Sequence, residues 1–367
     1  MSEKPIRFLM VGGFLGAGKT TTIATLARHY TDAGLNVGLV TNDQAYDLVD
    51  THTLRAKGFD VGEVPGACFC CKFDDLIETV NGLSGDTTPD LIIAEPVGSC
   101  TDLFATVIQP MRELFGDRFE TGPLVVLLKP GHGRKILGKQ KGRGFSPKAE
   151  YIFLKQLEEA DAIAINKADK LSPEQQQELL AAVKEHFGDK PAFLLSNSDG
   201  TGFDRLLEIA ASTPRSRDRM MEVDYEIYAE GEAELGWLNC AVAAEMQDEK
   251  FDLDQLVLEM VSRVGRRLDK SGCEVAHLKV LGQTLNEASV ANLVESGDEA
   301  QLSLASEIKT AASDLLVNAR VAASPEELEA IVREVTAELS AELSVSMTVG
   351  NMQAFRPAKP EPTHRAT

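Results

Sequence analysis

Eight residues restrict this chain more than any others: Gly13-Phe14-Leu15-Gly16-Ala17-Gly18-Lys19-Thr20, directly after the apolar run Phe8-Leu9-Met10-Val11. Their spacing is GxxxxGKS/T, and it works only where a strand ends in glycines and a helix opens at the lysine. There the backbone N–H groups around Gly13, Gly16, Ala17 and Gly18 curl round phosphate oxygens. Lys19 reaches the terminal phosphates, and Thr20, followed by Thr21, places a hydroxyl for Mg²⁺. The helix-forming run Thr22 to Tyr30 supplies the second half of that context. The stretch is read as a nucleotide site.

Beyond it, short apolar strands alternate with helical patterns. Val37 to Val40, Leu91 to Ala94, Leu124 to Leu128, Ala162 to Ile165 and Ala192 to Leu195 read as strands, with helices near 74–83, 103–115 and 173–187 between them. Such alternation predicts an α/β domain of P-loop NTPase type, a doubly wound, mostly parallel sheet with ligands at the carboxyl ends of its strands. The polar segment Ser212 to Arg217 breaks the pattern, so the expected domains are 1–212, 213–355 and a proline-containing tail, 356–367, expected to be disordered. The second domain reads as strands over 225–244, a helix over 253–269, strands near 275–281, 288–294 and 315–321, a helix over 325–339 and a last strand over 345–354. That order predicts a smaller α+β, split βαβ-like domain with one or two extra strands.

Charge follows the same division: the net value is −6 over residues 1–215 and −14 over 216–367. So acidic a second half argues against a nucleic-acid or anionic-membrane surface and for solubility or a basic partner. The apolar runs are strand-length, and the first residues lead straight into a strand without a signal-peptide pattern, so a cytoplasmic location is expected.

Three further signals carry chemistry. Asn166-Lys167-Ala168-Asp169 follows a buried strand and matches NKxD; the Asp169 carboxylate suits the donor edge of guanine, with Ser196 and Asn197 lining the base from the other side. Glu95-Pro96-Val97-Gly98 ends a strand where an acid holds a magnesium-bound water and a glycine lets the backbone approach the γ-phosphate. Cys68, Cys70 and Cys71 lie within four residues, a spacing that offers thiolates to one soft or borderline ion. Buried free cysteines are also common and inert, so by themselves these three leave both readings open.

Gly12 to Thr21, the Gly-x-Cys-x-Cys-Cys block Gly66 to Cys71, Glu95-x-x-Gly98 and Asn166-Lys167-x-Asp169, in this order, resemble the CobW-like branch of the CobW/HypB/UreG P-loop GTPases over roughly residues 5–210. The resemblance implies GTP and GDP as ligands and slow, Mg²⁺-dependent hydrolysis. It also implies binding of a transition metal, Zn²⁺ first and Co²⁺ or Ni²⁺ as alternatives, for delivery to a client metalloprotein or a corrinoid pathway. By that resemblance Cys68, Cys70 and Cys71 hold the metal; Cys100, five residues past Glu95 in the sequence, is close enough to be a fourth ligand and also reads as a buried cysteine at a helix start. Lys19, Glu95 and Asp43 are the candidate catalytic residues, and no glutamine or arginine finger is recognisable. A homodimer is left open.

The chain departs from the family's pattern in three places. Asn42-Asp43-Gln44-Ala45, with Asp47 and Asp50 beyond, stands where Asn-Glu-x-Gly is usual; the histidine-rich loop is absent; and Lys129 to Lys148 forms a stretch with six further cations and no acid. That stretch reads as a solvated loop or a docking patch. The rival overall reading is a GTP-gated adaptor whose cysteines are structural or redox-active.

Overall fold

The computed structural model describes residues 4–43, 49–83, 88–138, 146–214 and 220–367. It divides into two compact units, one of Met1–Gln44, Lys57–Gly231 and Lys359–Thr367, the other of Ala45–Ala56 and Glu232–Ala358.

The first unit holds β1 (Ile6–Gly13), β2 (Val37–Asp43), β3 (Asp60–Pro65), β4 (Leu91–Glu95), β5 (Phe119–Leu128), β6 (Ala162–Ile165) and β7 (Ala192–Leu194). They pair in the order β3-β2-β4-β1-β5-β6-β7, every pair parallel. The helices of the chain begin with α1 (Lys19–Asp32), α2 (Val49–Ala56), α3 (Phe73–Gly82), α4 (Gln109–Phe115), α5 (Pro130–Ile136), α6 (Pro147–Glu159), α7 (Pro173–Phe187), α8 (Phe203–Ala211) and α9 (Tyr225–Ala233). Helices on both faces explain the unbroken apolar strands: all five residues of β4 and all four of β6 are buried. The chain runs outward from β1 to β2 and β3, returns to β4, and then continues on the far side of β1. The reversal puts the carboxyl ends of β1 and β4 at a switch point, where such sheets bind ligands.

The second unit contains β8 (Gly236–Glu245), β9 (Phe251–Asp252), α10 (Leu253–Ser271), β10 (Val275–Gln283), β11 (Ala288–Leu293), β12 (Gln301–Leu304), β13 (Lys309–Thr310), β14 (Ala312–Val321), α11 (Pro325–Leu343) and β15 (Ser346–Phe355). Its six-stranded antiparallel sheet runs β12-β11-β10-β14-β8-β15. Without β11 and β12 this is the split βαβ order; β11 is the strand read near 288–294, and β12, which the sequence did not place, is the second extra strand. Leu253, Leu256, Val257, Met260, Val261, Val264 and Leu268 form the buried stripe of α10. The Asp252 carboxylate caps its start by accepting from Gln255 N, and Gly272 ends it in the left-handed conformation. Helix α2 also belongs to this unit: Val49 is buried with Leu281, Val290 and Leu316, and Asp50 pairs with Lys279.

Four expectations change. Residues 225–233 are helical rather than the start of a strand region, and the Tyr225 and Tyr228 hydroxyls bond to Asp102 and to Thr101 N, which draws the helix into the first unit. The division therefore falls after Gly231 rather than at 212, and residues 45–56 cross to the second unit. Residues 359–367 do not behave as a disordered tail; they make defined hydrogen bonds within the first unit. The basic stretch opens as α5, with Lys129 and His132 buried, and Lys148 pairs with Glu230. Lys139, Lys141 and Arg143, like Gln44, Ala45 and Asp47, lie outside the described residues.

Candidate functional site

The loop between β1 and α1 is set by backbone geometry only glycine tolerates. Gly13, Gly16 and Gly18 have φ of 135°, 74° and 91°, and a Cβ on Gly13 would come within 2.6 Å of the Leu127 carbonyl oxygen. Phe14 is buried against His132 and Phe153, with ring centroids 5.7 Å and 6.1 Å away, so the loop's outer residue is part of the core. Burial, then the neighbouring Lys129, holds His132 well below its usual pKa, so this ring is neutral. Lys19 Nζ, buried, donates to the Gly13 carbonyl at 3.0 Å. The Thr20 hydroxyl donates to Glu95 Oε1 at 3.1 Å. A hydroxyl and a carboxylate so placed are the hard oxygen donors that Mg²⁺ prefers, and they fit that ion. A Cβ at Gly98 would lie 2.7 Å from Leu15 Cδ2 and 3.0 Å from Lys19 Nζ, so a side chain there would crowd the loop and the lysine. Thr21 is exposed on the first turn of α1.

NKxD is tied to this loop. Asn166 Nδ2 donates to the Ala17 carbonyl at 2.8 Å, and its Oδ1 accepts from Lys167 N and from Asn197 Nδ2. Lys167, in the left-handed conformation, donates from Nζ to the Gly16 carbonyl at 3.2 Å. Ser196 donates its hydroxyl to Asp169 Oδ1 at 2.7 Å, and Asn197 Nδ2 donates to Thr22 Oγ1 at 2.9 Å. Asn166, Lys167 and Asn197 are therefore hydrogen-bonded to the phosphate loop and its helix, and the Ser196–Asp169 pair adjoins them along the chain.

The cysteines form a second centre. Cys68 Sγ lies 2.7 Å from Cys70 Sγ and 3.2 Å from Cys71 Sγ, and the three donor atoms fall within 4.8 Å of one another. A hydrogen bond from Cys100 first, then from Cys70 and Cys71, holds the Cys68 thiol well below its usual pKa against its burial. Bonding to Cys68 pushes Cys70 well up and Cys71 to about 12. Three sulfurs so close, with Cys100 hydrogen-bonded to Cys68, are a donor set whose protons a soft or borderline cation displaces, and it fits zinc, cobalt or nickel. Asp43 ends β2, and its carbonyl accepts from Gly66 N at the entrance to the cysteine loop.

Several residues that shape both centres carry no motif. Asn42, at the end of β2, donates from Nδ2 to the Val64 and Ala67 carbonyls, both at 2.7 Å, and accepts from Phe69 N at 2.8 Å. Gln156 donates to the Gly98 and Cys100 carbonyls, and buried Glu159 accepts from Thr101 Oγ1 and Phe104 N. The sequence signal for the last two was a polar pair, three apart, on the apolar side of a helix. Residues 361–366 also touch the cysteine segment, and nothing in their composition announced it.

Comparison with known proteins follows the same lines. The sequence model of the CobW/HypB/UreG nucleotide-binding domain matches residues 7–193. Among curated relatives, the zinc chaperone YeiR of Escherichia coli strain K12 is 28% identical over 184 residues, 49% of this chain and 52% of that protein. The zinc chaperone CobW of Sinorhizobium sp is 36% identical over 97 residues, 24% of this chain and 27% of that protein. The chain thus spans about half the length of the first relative and about a quarter of the second. Among solved structures, Zn(II)-bound YjiA GTPase from E. coli aligns over 90% of this chain and 99% of its own at 15% identity and a TM-score of 0.40, a likeness too distant to add to the family match. With its loop, NKxD network and strand-end glutamate in the matched span, the chain belongs to the CobW/HypB/UreG family.

Proposed function

We propose that this chain is a guanine-nucleotide-dependent, Mg²⁺-requiring GTPase that holds a transition metal ion, Zn²⁺ foremost, on Cys68, Cys70, Cys71 and Cys100 and passes it to a client metalloprotein or corrinoid-pathway protein. In this reading Thr20 and Glu95 hold the magnesium, Glu95 through water. Bound there, the ion neutralises charge on the terminal phosphates. Lys19 and the loop amides orient those phosphates, and Gly98 leaves room for them. Asp169, steadied by Ser196, reads guanine, and Asp43 is a second candidate beside Glu95 for orienting water. Turnover is slow, since the chain presents no recognisable glutamine or arginine finger. The named activities of the zinc-chaperone relatives agree with this reading.

One observation supports the reading above the rest. Asn42 fastens the cysteine loop to the end of β2, while Cys100 follows the β4 end that carries Glu95 and Gly98. The thiols are drawn from the two segments that P-loop GTPases move in response to the γ-phosphate. Metal affinity should then differ by about tenfold between the GDP-bound protein and the protein with a non-hydrolysable GTP analogue, and metal should shift analogue affinity by the same factor. Competition titration with a chelating indicator in both states measures it. Equal affinities would leave the GTP-gated adaptor as the better reading.

A further inference from the structure

Residues 359–367 lie across the cysteine segment. Lys359 pairs with Glu226, and Pro360 is buried. Glu361 N donates to Cys71 Sγ at 3.3 Å, Thr363 N to the Cys70 carbonyl at 2.8 Å and Thr363 Oγ1 to the Cys71 carbonyl at 3.2 Å. The His364 ring stands edge-on to Phe73 at 5.1 Å. Arg365 Nε donates to Asp102 Oδ2 at 2.7 Å and its Nη2 to the Met221 carbonyl at 2.9 Å, while Ala366 N donates to the Ala105 carbonyl at 2.8 Å. The segment thereby touches both stretches that supply thiols, 70–73 and the turn just after Cys100.

Two features show a prepared seat. Asp102 is a non-glycine residue at φ 64°, in the left-handed region that side chains seldom adopt, with its carboxylate 1% exposed. Tyr225 and Arg365 both donate to that carboxylate, and Arg365 is the cation in direct contact with it; undocking residue 365 leaves the buried charge to Tyr225 and the field of Lys155. Access supplies the second feature: Cys68, Cys70 and Cys100 are buried and Cys71 is half-buried, so Cys71 is the way in, and it is the sulfur that meets the Glu361 amide. A backbone N–H on that sulfur draws charge from it and weakens it as a donor. Yet Glu361, Thr363 and Arg365 are themselves exposed and held mostly by main-chain hydrogen bonds, the kind of segment that opens locally at low cost.

We propose that residues 359–367 are a strap that closes over the thiol cluster and sets how fast a metal ion enters and leaves it; the role toward metal rests on the metal-holding function proposed above. Cargo release would then need two events, a change in the segments around the nucleotide and the lifting of the strap.

Two variants of the full chain reach the strap at separate points. Thr363→Pro removes both bonds to the 70–71 backbone, and Arg365→Glu sets a like charge against Asp102 without touching a cysteine. Unchanged GDP affinity shows that the fold is intact. Loaded with one equivalent of Zn²⁺, both variants should pass it to a chromogenic chelator at least about tenfold faster than the parent. Metal-free, both should carbamidomethylate Cys71 faster with iodoacetamide, followed by peptide mass spectrometry. Parent-like rates in both measurements overturn the strap. Faster labelling of Cys71 in variants that, like the parent, take up no zinc overturns the metal-holding function and leaves the strap standing as a cover for the thiols.

Discussion

The Ser196 hydroxyl donates to the Asp169 carboxylate, the group that reads guanine in the function proposed above. Replacing it with asparagine turns an acceptor toward the donor edge of guanine into a group that also donates. Asp169→Asn should therefore cut the preference for GTP over ATP by at least about a hundredfold, measured by competition against a fluorescent GDP analogue. Lys19→Ala, which removes the buried ammonium beside Gly98, should abolish nucleotide binding in the same assay. A residue of the second unit gives a pH prediction. Burial pushes the Cys240 thiol up to about 12 in the folded chain, so the protonated form is favoured by folding. That contribution is complete below the unfolded thiol's value of about 8.5 and is lost as pH rises from there toward the folded value. Urea unfolding at pH 7 and pH 10 should show the parent losing more stability over that interval than Cys240→Val.

At the scale of elements, Asn42 decides whether β2 and the cysteine loop act together. Asn42→Ala removes three hydrogen bonds, two of them buried, and leaves two carbonyls and an amide to find new partners, a loss of about 2–4 kcal/mol in urea unfolding. It should also loosen the geometry of the thiols, read as weaker Zn²⁺ binding with guanine nucleotide affinity kept. The sequence made the strands, the phosphate loop and NKxD legible because each rests on local rules: apolar runs for strands covered on both faces, glycines where φ is positive, an asparagine and an aspartate at fixed spacing. It could not reveal the partners of Asn42, Gln156 and Glu159, which join residues 22 to 58 positions apart. The helix at 225–233 was misread as strand for a related reason: its two tyrosines suit a strand by propensity, and only distant partners, Asp102 and Thr101, decide otherwise.

For the whole molecule, α2 matters most. A fragment of residues 213–367 has the six-stranded sheet but lacks Val49, leaving Leu281, Val290 and Leu316 without the side chain buried among them. Such a fragment should aggregate, and adding residues 45–56 through a linker should restore a monodisperse species by light scattering. The same interleaving bears on inheritance. Each unit is written in the gene as separate blocks, Met1–Gln44, Lys57–Gly231 and Lys359–Thr367 for one, Ala45–Ala56 and Glu232–Ala358 for the other. A single recombination crossover within these blocks always splits at least one unit, so neither unit can be exchanged whole by one crossover, and an exchange of the second sheet takes at least two.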